Sequence, residues 1–335
     1  MAVSNYRRVY AEQARALSEI SVPSVILTIG KQWAAVALAF LASWAAGHYL
    51  FTAALQAKDW ETALPYALGC ALVFALSFFV VGAKQHALIV IMHDASHWRL
   101  LRNRRLNDLV GNLFCAFPTG FVTANYRLQH SAHHGSTNSP YDPDWAYLTR
   151  NEEFKFPKPR RDLWKLLCKD VSGLNVAAWW PSLRAWTGWP YIFQDKAKFM
   201  APAERAEFTI FWAAVLLINA VFGTWFYFIF LWLVPMFTLT LALNRLRLIP
   251  EHDLHRPGTE LVEHTRHVDG NWLERFALAP LNVNCHIAHH LFPSVPLYNL
   301  PRMHAALMKD PGFKEEGHIW KRYLGKDGVI SSMLS

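Results

Sequence analysis

Charge is scarce in this chain of 335 residues: only 17% are Asp, Glu, Lys or Arg, against about 25% in an ordinary soluble domain. Cysteine is scarcer. The four (Cys70, Cys115, Cys168 and Cys285) lie far apart and form no C-x-x-C pair. A disulfide framework is therefore not expected, and a reducing cytoplasmic setting fits. No low-complexity segment and no periodic repeat appears, and the composition excludes disordered and collagen-like chains. What is abundant is apolar sequence, at 53% hydrophobic and 14% aromatic residues, with a mean hydropathy of +0.10. It is bunched rather than spread, which points to a membrane protein. The net charge is +8. With so much apolar sequence, anionic lipid is the expected partner and nucleic acid is not.

Trp33 to Leu55 is an unbroken apolar run of 23 residues, roughly 35 Å as a helix and enough for a bilayer core of about 30 Å. It is too long and too far from the start to read as a secretory signal. Ala63 to Met92 is a second run, with Pro65 tolerated in its first turn. Its 30 residues give roughly 45 Å, so this helix either protrudes from the membrane or breaks near Gly82. Phe208 to Leu243 is too long for one span and contains neither charge nor histidine. Gly223-Thr224 divides it into Phe208–Phe222 and Trp225–Leu243.

The expected architecture is an all-α integral membrane protein of four transmembrane helices with a cytoplasmic helical cap. It divides into an N-terminal segment (1–32), a first helix pair (33–92), a middle cap region (93–206), a second helix pair (207–243) and a C-terminal cap region (244–335). Arg7, Arg8 and Lys31 precede the first span; Arg99, Arg102, Arg104 and Arg105 follow the second; Arg245 and Arg247 follow the fourth. The opposite connections hold only Lys58. The positive-inside rule then makes the termini and cap cytoplasmic. Between Lys155 and Phe193, bases alternate with Trp164, Trp179, Trp180, Trp186 and Trp189, a composition suited to helices in the headgroup layer.

Histidine is in excess, at 16 residues. His93 and His97 are four apart and share a helical face. His130, His133 and His134 lie three and four apart, and His286, His289 and His290 repeat that spacing. His252 follows Glu251 just beyond the fourth span. All nine stand at or beyond the predicted cytoplasmic ends of the spans. One metal takes about four to six ligands, so nine imidazoles suggest two metals, and ligand chemistry alone admits iron, copper or zinc. Asp94, Glu251, Asp142 and Asp144 are near enough in sequence to orient ligand rings. His86 lies two turns deeper than His93; it either lines a substrate channel or satisfies a core hydrogen bond. His48 reads as interfacial. His255, His264 and His267 fall in a polar loop and are expected to be solvated, with His255 the one additional candidate ligand. His304 and His318 have no evident partner.

His93-Asp94-x-x-His97, His130-x-x-His133-His134, Arg247-x-x-x-Glu251-His252 and His286-x-x-His289-His290 resemble the histidine boxes of the membrane-bound fatty acid desaturase superfamily. The flanks agree: Tyr126-Arg127 before the second box, Asn138 and Asp142-Pro143-Asp144 after it, Asn282-Val283-Asn284 before the last and Leu291-Phe292-Pro293 after it. The resemblance implies two non-haem irons, the nine clustered histidines as ligands, and Asp94, Glu251 and Asn284 as supporting groups. O2 would be the co-substrate, used to oxidise an unactivated C–H bond of a fatty acyl or long alkyl chain. Desaturation is the leading expectation, oxidative decarboxylation of free fatty acids to terminal alkenes the alternative, and hydroxylation of acyl or carotenoid substrates the next. The N-Y-x-E-H-Y-G motif of alkane and xylene hydroxylases is absent, as are an H-P-G-G haem motif and a rubredoxin-type C-x-x-C pair. Electrons are therefore expected from a separate ferredoxin, rubredoxin or b-type cytochrome. A bacterial inner membrane is the expected location, since no retention signal or fused haem domain appears.

The substrate would lie in an apolar tunnel between the spans, where each buried CH₂ is worth about 0.8 kcal/mol. Arg127, Arg245 or Arg247 would either meet an anionic headgroup or anchor to lipid. A metal transporter is the competing class. It would place ionisable groups across the membrane depth, whereas these histidines gather at one side.

Overall fold

The computed structural model describes residues 3–193, 200–253 and 261–335. His255 lies outside them. Four helices are long and apolar enough to cross a membrane: Val22–Gln56, Trp60–Ser96, Pro202–Phe222 and Trp225–Glu251.

The first span begins at Val22, earlier than the apolar run suggested. Lys31 and Gln32 interrupt that run in sequence, but Lys31 is exposed and Gln32 donates to Thr28 O on its own helix at 3.1 Å. A polar residue that bonds within its own helix does not end it. Residues 22–32 therefore belong to the span rather than to a separate N-terminal segment. Ser21 caps it, accepting from Ser24 N.

The second span starts from Asp59, which accepts the Thr62 N–H at 2.8 Å, and runs unbroken for 37 residues. At roughly 55 Å it exceeds a bilayer core. It protrudes rather than breaking at Gly82: Val81 to Ser96 are almost continuously buried inside the cap. Gly82 permits a close crossing, because a Cβ there would stand 2.8 Å from Leu239 Cδ2.

The third and fourth spans form the expected hairpin. Gly223 closes the third at φ +64, and Thr224 hydrogen-bonds Asn219. The fourth does not end at Leu243. It passes a π-helical turn at Phe228–Leu233 and a break at Thr238, then continues through Leu239–Glu251. Arg245, Arg247 and Glu251 are thereby carried on its inner end. Leu38, Leu41, Leu68, Leu72, Leu76, Leu217 and Val221 are exposed on the spans, as hydrocarbon-facing positions should be.

Among the described residues the cap is helical, apart from two three-residue parallel strands, Arg266–Val268 and His318–Trp320. The N-terminal helices Val3–Val9 and Ala11–Leu17 pack on it: Arg7 donates to the carbonyls of His290 and Leu291. Helices Arg160–Val171 and Val176–Trp186 expose Trp164 and Trp180. Trp179 is instead buried, donating to Asp170 Oδ1 at 3.0 Å.

Candidate metal centre

Three short helical pieces and one extended residue bring the nine histidines together. His93 is on the last turn of the second span, and His97 caps its end. His130, His133 and His134 lie on Thr123–Ser136, and His286, His289 and His290 on His286–Leu291. His252 follows the fourth span in extended conformation, held by a bridge to Thr265.

The rings form two groups. His93, His97, His130, His134 and His289 place ring nitrogens within 4.8 Å of one another, as do His133, His252 and His290. His286 joins the second group, its Nε2 lying 2.8 Å from His252 Nε2. Each adjacent pair in the boxes is divided: His134 and His289 enter the first group, His133 and His290 the second. Neighbours on a helix point about 100° apart, whereas residues four apart share a face. His130 and His134 accordingly stay together, as do His286 and His290.

The nitrogen contacts are not an ordinary hydrogen-bond network. His130 Nε2 lies 3.0 Å from both His97 Nε2 and His134 Nε2, and His134 Nε2 is 3.0 Å from His289 Nε2. A ring nitrogen either donates or accepts once, so the middle nitrogens cannot satisfy both neighbours. His93 has no hydrogen-bond partner on either nitrogen. Nine convergent lone-pair donors, seven of them buried and His97 and His134 half-buried, suit cations between them.

Electrostatics point the same way. Burial, then Arg99 and Arg127, holds His97 down to about 3. Burial, then neighbouring imidazoles and arginines, holds His130, His134, His252, His286, His289 and His290 well below the usual histidine value. These rings are neutral, the form that binds metal. His133 is the exception: burial alone would lower it, but the hydrogen bond to Asp142 and the charge of Asp144 raise it.

Around the rings, Asp142 accepts from His133 Nδ1. Asp144 is 3.8 Å from the same nitrogen and accepts from Gln129. Glu251 stands 3.7 Å from His286 Nδ1 and is paired with Arg247 at 2.6 Å. Tyr126 OH lies 3.4 Å from His130 Nδ1. Asp94 and Asn284 are elsewhere engaged. Asp94 accepts the Leu297 N–H, and the Asn284 amide donates to Val268 O; both brace the segments carrying the boxes.

The arginines offered as headgroup contacts are consumed internally. Arg127 pairs with Asp108, donates to Ser96 O and Ala95 O, and lies over the Trp98 ring. Arg245 is fully buried between Asp170 and Glu153. His86 is buried with Nδ1 2.9 Å from Ala277 O. His264 and His267 are buried, not solvated: His267 lies on the strand Arg266–Val268 and stacks on His304 at 3.6 Å, and His264 ends the helix Leu261–His264 just before it. Lys84 gave no sequence signal, being one cation in an apolar run. It is buried in the second span with Nζ 3.7 Å from the Phe276 centroid.

Two cavities adjoin the centre. One is lined by His93, His130, His133, His252 and His286 with Asp142, Asp144 and Glu251. The other is apolar, walled by Phe121, Trp179, Trp180, Trp189, Phe237 and Leu241 among others. They share Ile89, Trp186 and Asn244. Only folding reveals this shared wall, because its three residues lie on separate elements.

Comparison with known proteins agrees. The dihydrorhizobitoxine desaturase of Bradyrhizobium elkanii is 28% identical over 271 residues, covering 78% of this chain and 76% of the relative. The sn-1 oleoyl-lipid 12-desaturase of Anabaena variabilis is 26% identical over 257 residues, covering 71% and 69%. The chloroplastic omega-6 fatty acid desaturase of Brassica napus is 24% identical over 284 residues, covering 76% of this chain and 61% of that longer protein. The family model described as fatty acid desaturase matches residues 64–322, which takes in every histidine of the centre. The chain is thus an oxidoreductase belonging to the fatty acid desaturase family.

Proposed function

We propose that this protein is an O2-dependent di-iron oxidase that desaturates a fatty acyl or other long alkyl chain. One observation carries the reading: two groups of converging imidazoles adjoin an apolar chamber across a shared wall. His93, His97, His130, His134 and His289 would hold one iron, and His133, His252, His286 and His290 the other. The iron pair would supply O2 activation and removal of hydrogen from an unactivated C–H bond.

The protein's own residues do the rest. Asp142 fixes the His133 tautomer, so that Nε2 is left as the donor to metal. Glu251, neutralised by Arg247, supports His286. The aromatic walls orient a chain by contact and exclude water, which strengthens electrostatic interactions inside the site. The basic flanks of the spans support a cytoplasmic metal centre, with a bacterial inner membrane as the location. Electrons come from a separate ferredoxin, rubredoxin or b-type cytochrome, drawn to the basic face.

The test is a product profile from cells expressing the wild type or His289→Ala. A new double bond at unchanged chain length, present only with the wild type, is expected. An added oxygen would mean hydroxylation instead, and a terminal alkene one carbon shorter would mean decarboxylation. Fewer than two irons per purified chain would overturn the di-iron assignment.

A further inference from the structure

The two chambers meet at Ile89, Trp186 and Asn244. Ile89 presents only carbon there, and the Trp186 indole donates to Gln129 Oε1 at 2.9 Å. On the apolar side, the hydroxyls of Thr119, Thr187 and Thr240 all donate internally, to backbone carbonyls or to Gln85. Asn244 differs. Its side chain lines both chambers, is half-buried, and makes no hydrogen bond to the described residues. On the metal side, Trp145 Nε1 is buried and also makes no hydrogen bond to the described residues.

An amide set in a largely apolar wall with no partner among the described residues is left to be satisfied by water or by a ligand. It discriminates between ligands, since one that supplies an acceptor satisfies it and a plain hydrocarbon does not. Asn244 is also one turn from Arg247 and two turns from Glu251 on the same helix. An atom bonded to it therefore lies beside the metal ligands rather than at the far end of the tunnel.

We propose that Asn244 is a positioning residue that donates a hydrogen bond to an oxygen or nitrogen atom of the substrate close to the carbon that is oxidised. The preferred substrate is then a functionalised alkyl chain, with an ether, hydroxyl or carbonyl near the reacting carbon, rather than an uninterrupted run of methylenes. The inference rests on the oxidation reading above and narrows its substrate class.

The test uses the purified full chain in lipid nanodiscs without an electron donor, so that nothing turns over. Hexadecanoic acid and a series of its ethers, each with one methylene replaced by oxygen along the chain, compete against a fluorescent fatty acid. One or two adjacent oxygen positions should bind about five- to tenfold more tightly than hexadecanoic acid, the range of one neutral hydrogen bond. Asn244→Leu should abolish that preference without weakening hexadecanoic acid. Asn244→Gln should retain part of it, and Asn244→Ala provides a second loss of the amide should the leucine variant fail to fold. Equal binding across the series, a preference that survives both Asn244→Leu and Asn244→Ala, or no competition by any probe would overturn the assignment. Product analysis after adding reductant and donor separates the two readings. An Asn244-dependent preference with no oxidised product would overturn the oxidation reading alone; oxidation with no positional preference would overturn the role of Asn244 alone.

Discussion

Nδ1 of His133 lies 3.0 Å from both carboxylate oxygens of Asp142, which also accept the backbone N–H groups of Asn138 and Asp144. One carboxylate thus orients a ring of the second histidine group and closes the loop behind it. Asp142→Ala should lower metal affinity about 10- to 100-fold. Metal titration of the purified variant, against Asp142→Asn with its remaining acceptor, checks this.

The metal-free protein should lose stability as acid is added. His97, His130, His134, His252, His286, His289 and His290 all have folded-state values below that of a free imidazole. The unfolded chain therefore binds protons below about pH 6.5 that the folded chain does not, at about 1.4 kcal/mol per histidine per pH unit. His133, raised instead, acts in the opposite sense: its pairing stabilises below pH 6.5 and is lost as pH rises through its folded value. Seven against one, the net effect is a melting temperature that falls steeply from pH 7 to pH 5 after chelation. A flat profile would contradict it.

Gly111 packs so closely on the first box that a Cβ there would stand 2.7 Å from Ala95 Cβ, between His93 and His97. Gly111→Ala should cost about 1–3 kcal/mol through overpacking. It should also reduce metal content, because Ala95 is a rigid neighbour with no rotamer to yield. Iron analysis beside thermal unfolding tests both.

Arg245 is buried against Asp170 and Glu153, and its guanidinium lies 4.8 Å and 4.9 Å from the ring centroids of Phe154 and Trp179. Arg245→Met leaves Asp170 buried without its cation and should destabilise by about 3–5 kcal/mol. Substrate headgroup preference should be unchanged in whatever folded protein remains, a comparison that separates packing from recognition.

Ile89 lines both chambers. Ile89→Trp should fill the space where the two chambers adjoin and cut product formation from a long chain more than about tenfold, since a misplaced reacting carbon loses orientation. Metal content should remain that of the wild type. A fall in both would indicate collapse of the site rather than obstruction of the chamber.

The histidine boxes were legible because their chemistry is local: the spacings within His93–His97, His130–His134 and His286–His290 follow from helix geometry alone. The spans were legible from length and apolarity, but their ends were not. The first begins eleven residues before Trp33 and the fourth runs eight beyond Leu243, because Lys31, Gln32, Arg245 and Arg247 find exposure or partners that a run of letters does not show. The burial of His264 and His267 is not visible in a polar stretch of sequence. His267 lies on a strand that pairs with the distant segment His318–Trp320, and His264 ends the helix Leu261–His264 just before it.

Composition and helical periodicity were enough to specify membrane spans and converging histidine clusters, since composition sets the solvent a helix can face and periodicity sets which ligands can converge; the oxidoreductase followed from the resemblance of those clusters to histidine boxes. How those ligands divide depends on the packing of the helices that carry them. His133 and His134 are neighbours in the chain yet belong to different groups, as do His289 and His290, because adjacent side chains on a helix diverge by about 100°. The tertiary structure also decided which polar groups face the chambers. Arg127, Arg245 and Asn244 are all polar, but Asp108 and Asp170 occupy the two arginines, and Asn244 lines both chambers with no hydrogen bond to the described residues.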